Sequence, residues 1–355
     1  MEIPHSLLMR LKENERIARK FNEIEMSILT ILNFQDFLEK LLTAIRDNFS
    51  IDHIWFSIIK ESDIARQLSE IKDSELLKTS TAFVSKKLFL SVTKNSLKPL
   101  LANENLAVFT ALVPENPGYE MGSIAIAPIT LDGQVIGSIN QADKDKNRFQ
   151  PGIDTSLLEQ LALKVSLCLS NVTAHEQLKF LAFHDPLTGL LNRGVMERIL
   201  EREFQRAKRY QMELTLLFLD LDDFKSINDT YGHDNGDLAL CHVSDCLNRL
   251  KRESDVVARF AGDEFVVILP STSRIQAEHY VRRVKENLAS TPLSTDHKTF
   301  YVKLSYGIST VSEIGIDSSR GLLKAADKRL YQAKHKKKTS KSFPFNHRVS
   351  GFFSL

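Results

Sequence analysis

Residues 214–223 read Leu-Thr-Leu-Leu-Phe-Leu-Asp-Leu-Asp-Asp, and residues 256–269 read Val-Val-Ala-Arg-Phe-Ala-Gly-Asp-Glu-Phe-Val-Val-Ile-Leu. The first is an apolar run that ends in carboxylates at Asp220, Asp222 and Asp223. An unbroken run of this length fits a strand buried on both faces. Side chains alternate along a strand, so Asp220 and Asp222 share a face. Carboxylates where a buried strand surfaces are costly unless they are solvated or hold cations. Strand ends are also where open α/β sheets place ligands. The pair suits Mg²⁺, which prefers oxygen donors and is usually shared with substrate phosphates; an acidic turn in solvent is the competing reading. The second segment splits into apolar runs around Ala261-Gly262-Asp263-Glu264. It predicts a β-hairpin with a tight Ala-Gly turn and two carboxylates at its tip. Gly262 permits positive φ and close approach to a substrate. An acidic tip facing an acidic strand end can complete a two-metal site, stabilising attacking and leaving oxygens in nucleotidyl transfer.

Outward from these segments, Asp185-Pro186-Leu187-Thr188-Gly189-Leu190-Leu191-Asn192-Arg193 carries turn residues ahead of a charged helical stretch to Tyr210. Lys225-Ser226-Ile227-Asn228-Asp229 and Tyr231-Gly232-His233-Asp234-Asn235-Gly236-Asp237 follow the strand. Taken together, residues 183 to about 338 resemble the GGDEF domain of diguanylate cyclases. The resemblance implies a ferredoxin-like palm akin to class III nucleotide cyclases, and condensation of two GTP into cyclic di-GMP. It implies two Mg²⁺ or Mn²⁺ ions per site, held by Asp220, Asp263 and the backbone carbonyl of Leu221. Glu264 is then the residue that assists the metals or activates the 3′-hydroxyl, on the tip formed by Gly262. Asn228 and Asp237 match the guanine-binding positions, and an amide and a carboxylate suit that donor–acceptor edge. The aspartate at 237 implies guanine on both sides of the product. Lys225 and Lys334 match phosphate-contacting lysines, and the backbone turn at Asp223-Phe224 would cup phosphate as well. Arg252-Glu253-Ser254-Asp255 matches the family's Arg-x-x-Asp inhibitory site, with Arg252 and Asp255 as product contacts.

Two positions depart from the family pattern. Ala261 stands where a first glycine is usual, and His335-Lys336-Lys337-Lys338 replaces a Gly-Arg-Asn run. Lysines there act as point charges without the bidentate fork of arginine. A homodimer is implied, because each domain holds one GTP and two must face each other.

The N-terminal half is less explicit. Residues 1–48 read as one helix, with Ile17, Phe21, Ile24, Ile28 and Ile31 in a narrow seam that fits either packing on its own domain or pairing with a second copy. Strands are expected at 51–59, 123–130 and 134–140, the last two joined by an Asp132-Gly133 turn. The stretch between them, through residue 118, shows only weak helical patterns. After Pro151-Gly152 a long helix carries Leu158, Leu161, Val165, Cys168 and Val172 in a seam. Ala127-Pro128-Ile129, Asp132-Gly133, Val135-Ile136-Gly137-Ser138, Phe149 and that helix resemble the GAF superfamily, in the variant found ahead of signalling domains. The resemblance implies a sheet with helices packed on it, dimerisation through flanking helices, and an unknown small ligand or protein partner.

The expected organisation is thus an α+β chain: an N-terminal helix at 1–48, a GAF-like sensory domain at 49–175, a helical linker into a GGDEF domain at 176–338, and a disordered basic and aromatic tail at 339–355. A net charge of +2 argues against a nucleic-acid polymer as partner. Three cysteines make no disulfide framework, and no apolar stretch is long enough to span a bilayer; a cytoplasmic protein is expected. Two other functions compete. A degenerate cyclase acting as a GTP- or cyclic di-GMP-binding regulator would have lost carboxylates that are present here. A phosphodiesterase needs a further acidic or His-Asp domain.

Overall fold

A computed structural model describes residues 5–51, 53–114, 120–295 and 299–341. The chain divides into two compact units, Met1–Leu178 and Lys179–Leu355.

The first unit opens with helix α1 (His5–Ile28) and helix α2 (Phe34–Phe49). The single helix expected over 1–48 is therefore broken. Asn33 supplies the reason, since its side chain accepts from the Asp36 amide and caps a new helix. Strand β1 (His53–Ile59) follows, then helices α3 (Asp63–Glu70) and α4 (Glu75–Thr79), strand β2 (Thr81–Val84), helix α5 (Lys86–Thr93), and strand β3 (Leu100–Ala102). These fill the stretch that showed little pattern. Each helix is too short for an amphipathic period, but each begins at a serine cap: Ser62, Ser74 and Ser85. A 3₁₀ segment (Leu106–Leu112) precedes strands β4 (Ser123–Leu131) and β5 (Gln134–Asp143), and helix α6 (Ser156–Phe183) closes the series. The sheet runs β2-β1-β5-β4-β3. The β4–β5 turn is Asp132-Gly133, with φ 48° and 78°, the positive pair that a two-residue hairpin requires.

The two apolar seams face inward. Ile24 and Ile28 of α1 and Leu161, Val165, Cys168 and Val172 of α6 are buried in one core with α2 and one face of the sheet. For these residues, packing on their own unit replaces pairing with a second copy. Glu25 and Lys164 form an ion pair beside the seam. Trp55 belongs to the core on the other sheet face and donates to the Leu112 carbonyl at 2.6 Å. Leu163 and Leu167 of α6 stay 60% and 62% exposed.

The second unit contains helix α7 (Arg193–Tyr210), strand β6 (Leu214–Leu221), helices α8 (Phe224–Tyr231) and α9 (His233–Leu250), strands β7 (Val256–Ala261) and β8 (Glu264–Pro270), helix α10 (Arg274–Ser290), short strands β9 (Leu293–Ser294) and β10 (Thr299–Phe300), strand β11 (Leu304–Thr310) and helix α11 (Ser319–Lys341). Its main sheet is antiparallel, in the order β11-β6-β8-β7. Every residue of β6 is buried. The cause is a helical layer on each face: Leu217, Leu219 and Leu221 pack toward α9 and α10, and Leu214, Leu216 and Phe218 toward α7 and α11. A Cβ added at Gly307 of β11 would lie 2.0 Å from the Ala326 carbonyl oxygen, so α11 rests directly on this strand. Helix α11 carries the first residues of the expected tail, to Lys341; residues 342–355 lie outside the described residues. Among the described residues no helix is long and apolar enough to cross a membrane.

Candidate active site

The even-numbered residues of β6 face α11, and the alternation continues past the strand end. Asp220 is ion-paired with Lys334, and Asp222 lies 2.7 Å from Lys337. The expectation that the two aspartates share a face is met. Asp220 is only 6% exposed. The sheet register sets it directly opposite Glu264 on β8 and Ser305 on β11.

The hairpin differs in detail from its sequence reading. Ala261 ends β7 and Glu264 begins β8, so the turn residues are Gly262 and Asp263 rather than Ala261 and Gly262. A strand irregularity between Arg259 and Ala261 shifts the register by one. Gly262 has φ +50°, a conformation that is strained for side chains with a Cβ. The Leu221 amide donates to the Asp263 carbonyl at 3.2 Å and ties the turn to the end of β6. Asp220, Asp263 and Glu264 thereby share one corner of the sheet.

Their mutual charge shows in their acidity. Burial pushes the Asp220 carboxyl up; the Lys334 contact pulls it back, and Asp263 and Asp222 push it further up. Glu264 is raised first by burial, then by Asp220, Asp263 and Asp327. Surplus negative charge of this kind is what a divalent ion offsets. The buried Oδ1 of Asp220 is the atom that meets Lys334, and among the described residues no three acidic, histidine or cysteine side chains form a ready-made metal cluster. A buried carboxylate balanced by one lysine, a neighbouring carboxylate and a backbone carbonyl fit a hard cation that takes its remaining ligands from water or phosphate.

A buttress behind the hairpin carries no signal in local sequence. Arg259 donates through Nη1 to both oxygens of Asp185, at 2.9 and 3.1 Å, and through Nε to the Gly262 carbonyl at 2.9 Å. Burial raises the Asp185 carboxyl, but bonds from Thr188 and Arg259 outweigh it and hold the group below the usual carboxylate range. Both residues stand inside the quoted motifs, yet they are 74 positions apart. Only the joint presence of the two motifs could have pointed to the pair.

On the other sheet face, α8 and α9 form a tight helical pair. A Cβ at Gly236 would fall 1.8 Å from Asn228 Oδ1, so the missing side chain makes room for the Asn228 carboxamide. Asp237 is the next residue and is exposed. Asp223 precedes α8 with φ 57°, and Phe224 packs partly on the core while Lys225 is exposed. A cleft of about 770 Å³ opens beside Glu264, with Arg193, Phe260, Lys324 and Asp327 on its wall; Asn228 and Asp237 do not line it. Arg252 is exposed, whereas Asp255 is 4% exposed and accepts from the Arg252 amide at 2.8 Å. The Asp255 carboxylate thus serves its own loop. Cys246 is buried and Cys241 partly so, its Sγ 3.3 Å from the Leu187 carbonyl, in keeping with packing roles.

Comparison with known proteins bears on both units. Residues 182–340 match the family described as diguanylate cyclase, GGDEF domain. Residues 2–172 match DUF484, described as a protein of unknown function; that match does not carry the GAF resemblance. A cyclic di-GMP phosphodiesterase of Pseudomonas aeruginosa, NbdA, is 38% identical over 161 residues, 45% of this chain and 20% of its own. Diguanylate cyclase DgcP of the same organism is 37% identical over 153 residues, 43% of this chain and 22% of its own. Diguanylate cyclase DgcP of Escherichia coli is 31% identical over 220 residues, 60% of this chain and 64% of its own. The chain spans less than two thirds of each of these relatives. The carboxylate corner thus lies within the segment, residues 182–340, that matches the diguanylate cyclase GGDEF-domain family.

Proposed function

We propose that the chain is a diguanylate cyclase that joins two GTP into cyclic di-GMP with release of two pyrophosphates. The observation that carries this reading is the buried Asp220, ion-paired with Lys334 and facing Glu264 across the register, beside the Leu221 amide that holds the Asp263 turn. Asp220, Asp263 and the Leu221 carbonyl would hold Mg²⁺ or Mn²⁺, two per site, which stabilise the attacking and leaving oxygens when bound. Glu264 stands at the same corner, and burial and its acidic neighbours raise its pKa, which makes its carboxylate a better base for taking or sharing the 3′-hydroxyl proton. Asn228 and Asp237 receive guanine. Lys225, Lys334 and the backbone at Asp223 and Phe224 receive the phosphates, where fixed charge offsets the charge on the transferring group. The reaction is mutual attack between two nucleotides, so two copies of the domain must face each other.

The first unit is read as the control and dimerisation device. Its sheet with helices on both faces is of the kind the GAF resemblance implies, and the exposed Leu163 and Leu167 offer an apolar face for a second copy. Arg252 and Asp255 are read as a product-inhibition site; Asp255 must then exchange its bond to the Arg252 amide for the ligand. The test is incubation of purified chain with GTP and Mg²⁺ or Mn²⁺, nucleotides being resolved by chromatography. Cyclic di-GMP should form, and should be absent with Asp263→Ala and Glu264→Ala. No product from dimeric protein freed of bound cyclic di-GMP would refute the reading.

A further inference from the structure

Two lysines of α11, one helical turn apart, lie against the acidic end of β6, and their contacts are unequal. Lys337 Nζ donates to Asp222 Oδ2 at 2.7 Å and to Ser305 Oγ at 2.9 Å, and the Ser305 hydroxyl donates to Asp222 Oδ1 at 2.5 Å. The Asp222 amide is fixed as well, to the Lys303 carbonyl at 2.8 Å. That corner is a closed ring of satisfied groups. Lys334 instead meets the buried Oδ1 of Asp220 as an ion pair. An ion pair that stands outside such a ring is the one that a doubly charged, oxygen-coordinating ion can replace.

We propose that Lys334 is a built-in cation that occupies Asp220 until a divalent ion takes its place, and that Lys337 is a positioning residue that keeps α11 docked while Lys334 moves to the nucleotide phosphates. The inference rests on the reading of Asp220 as a metal ligand and of Lys334 as a phosphate contact. Lys334 then links the two binding events. It must leave Asp220 for the ion to bind, and phosphate gives it a second anion to hold. In the nucleotide-free chain this exchange opposes metal binding; with nucleotide present it does not. Lys337 acts at a distance from the reaction, through the Asp222–Ser305 ring and the seating of α11 on Gly307.

The test is Mn²⁺ binding to the full chain without nucleotide, followed by the free-ion signal in electron paramagnetic resonance. Lys334→Met should raise Mn²⁺ affinity about tenfold, the scale of a partly buried charge pair. Lys334→Gln should shift it in the same direction. Lys285→Met removes a lysine coupled to Asp222 and Lys337 instead, and so measures the general effect of deleting positive charge. An unchanged affinity in both Lys334 variants, or a gain no larger than in Lys285→Met, overturns the proposal and leaves the cyclase reading standing. No Mn²⁺ bound by any of the proteins without nucleotide also overturns the proposal, and absence of Mn²⁺ binding with GTP present as well overturns the cyclase reading. For Lys337, the Met variant should weaken binding of GTP several-fold and the Arg variant should restore it; GTP affinity unchanged in Lys337→Met removes the positioning role.

Discussion

Replacing Arg259 with alanine removes the clamp between two distant motifs in a single step. Nη1 gives up two contacts to Asp185 at 2.9 and 3.1 Å, and Nε gives up the Gly262 carbonyl at 2.9 Å. The partners are 15% and 20% exposed, so water replaces the lost bonds poorly. Among the described residues Asp185 then keeps the Thr188 amide and hydroxyl, at 2.9 and 2.7 Å. A hydrogen bond to a charged group contributes about 1.5–3 kcal/mol, and breaking a fully buried pair costs about 3–5 kcal/mol. At this intermediate burial the expected loss is about 2–3 kcal/mol in urea unfolding. The turn carrying Asp263 also loses its restraint. If about 1.4–2.7 kcal/mol of that restraint bears on the transition state, kcat falls about ten- to a hundredfold. Lysine at 259 keeps the charge but cannot serve Asp185 and Gly262 together, so it should recover much of the stability and little of the turnover. An unchanged urea midpoint and kcat in Arg259→Ala would refute the assignment of this clamp.

Three further outcomes are expected. Gly236→Ala brings a methyl to within 1.8 Å of the present Asn228 Oδ1 position, so the carboxamide must move; calorimetry should show GTP affinity down about tenfold or more, a cost of about 1.4 kcal/mol, with the fold retained by circular dichroism. Glu313, whose carboxylate burial raises but bonds from Arg329, Thr310 and Arg274 lower more, has a depressed folded-state pKa. The unfolded chain then binds the proton more tightly, so this stability is present above the ordinary glutamate range and lost as pH falls through the folded value; Glu313→Gln should flatten the acid limb of the stability profile, and an unaltered limb would contradict this. Leu163→Glu with Leu167→Glu, both exposed on α6, should shift light-scattering mass toward the monomer and lower turnover at equal concentration, with the thermal midpoint of the first unit unmoved.

The legibility of this chain follows the range of the interactions. Strand β6 was readable because burial on both faces forces an unbroken apolar run, and the hairpin because two such runs flank a glycine and two acids. The helical break before α2 is not visible in the apolar seam, which runs to Ile31, past the end of α1 at Ile28; only the cap chemistry of Asn33 marks it. Residues 60–112 hold elements of three to eight residues, too short for periodicity to separate from chance. The partners of Asp185, Asp220 and Asp222 lie 74, 114 and 115 positions away along the chain. No local pattern encodes such pairs, and the sheet register and the seat of α11 bring them together. The lysine run after Tyr331, which departs from the family pattern, gains a role only once Lys337 is seen against Asp222.

The most direct measurement of the central claim is mass-resolved product analysis from GTP with Mg²⁺ under initial-rate conditions, with pyrophosphate counted in parallel. The account predicts one cyclic di-GMP and two pyrophosphates for every two GTP consumed, with a rate per protein that rises with protein concentration and vanishes in Asp263→Ala. GTP left intact by a folded, dimeric chain with its metal bound, or release of GDP and phosphate in place of pyrophosphate, would contradict it.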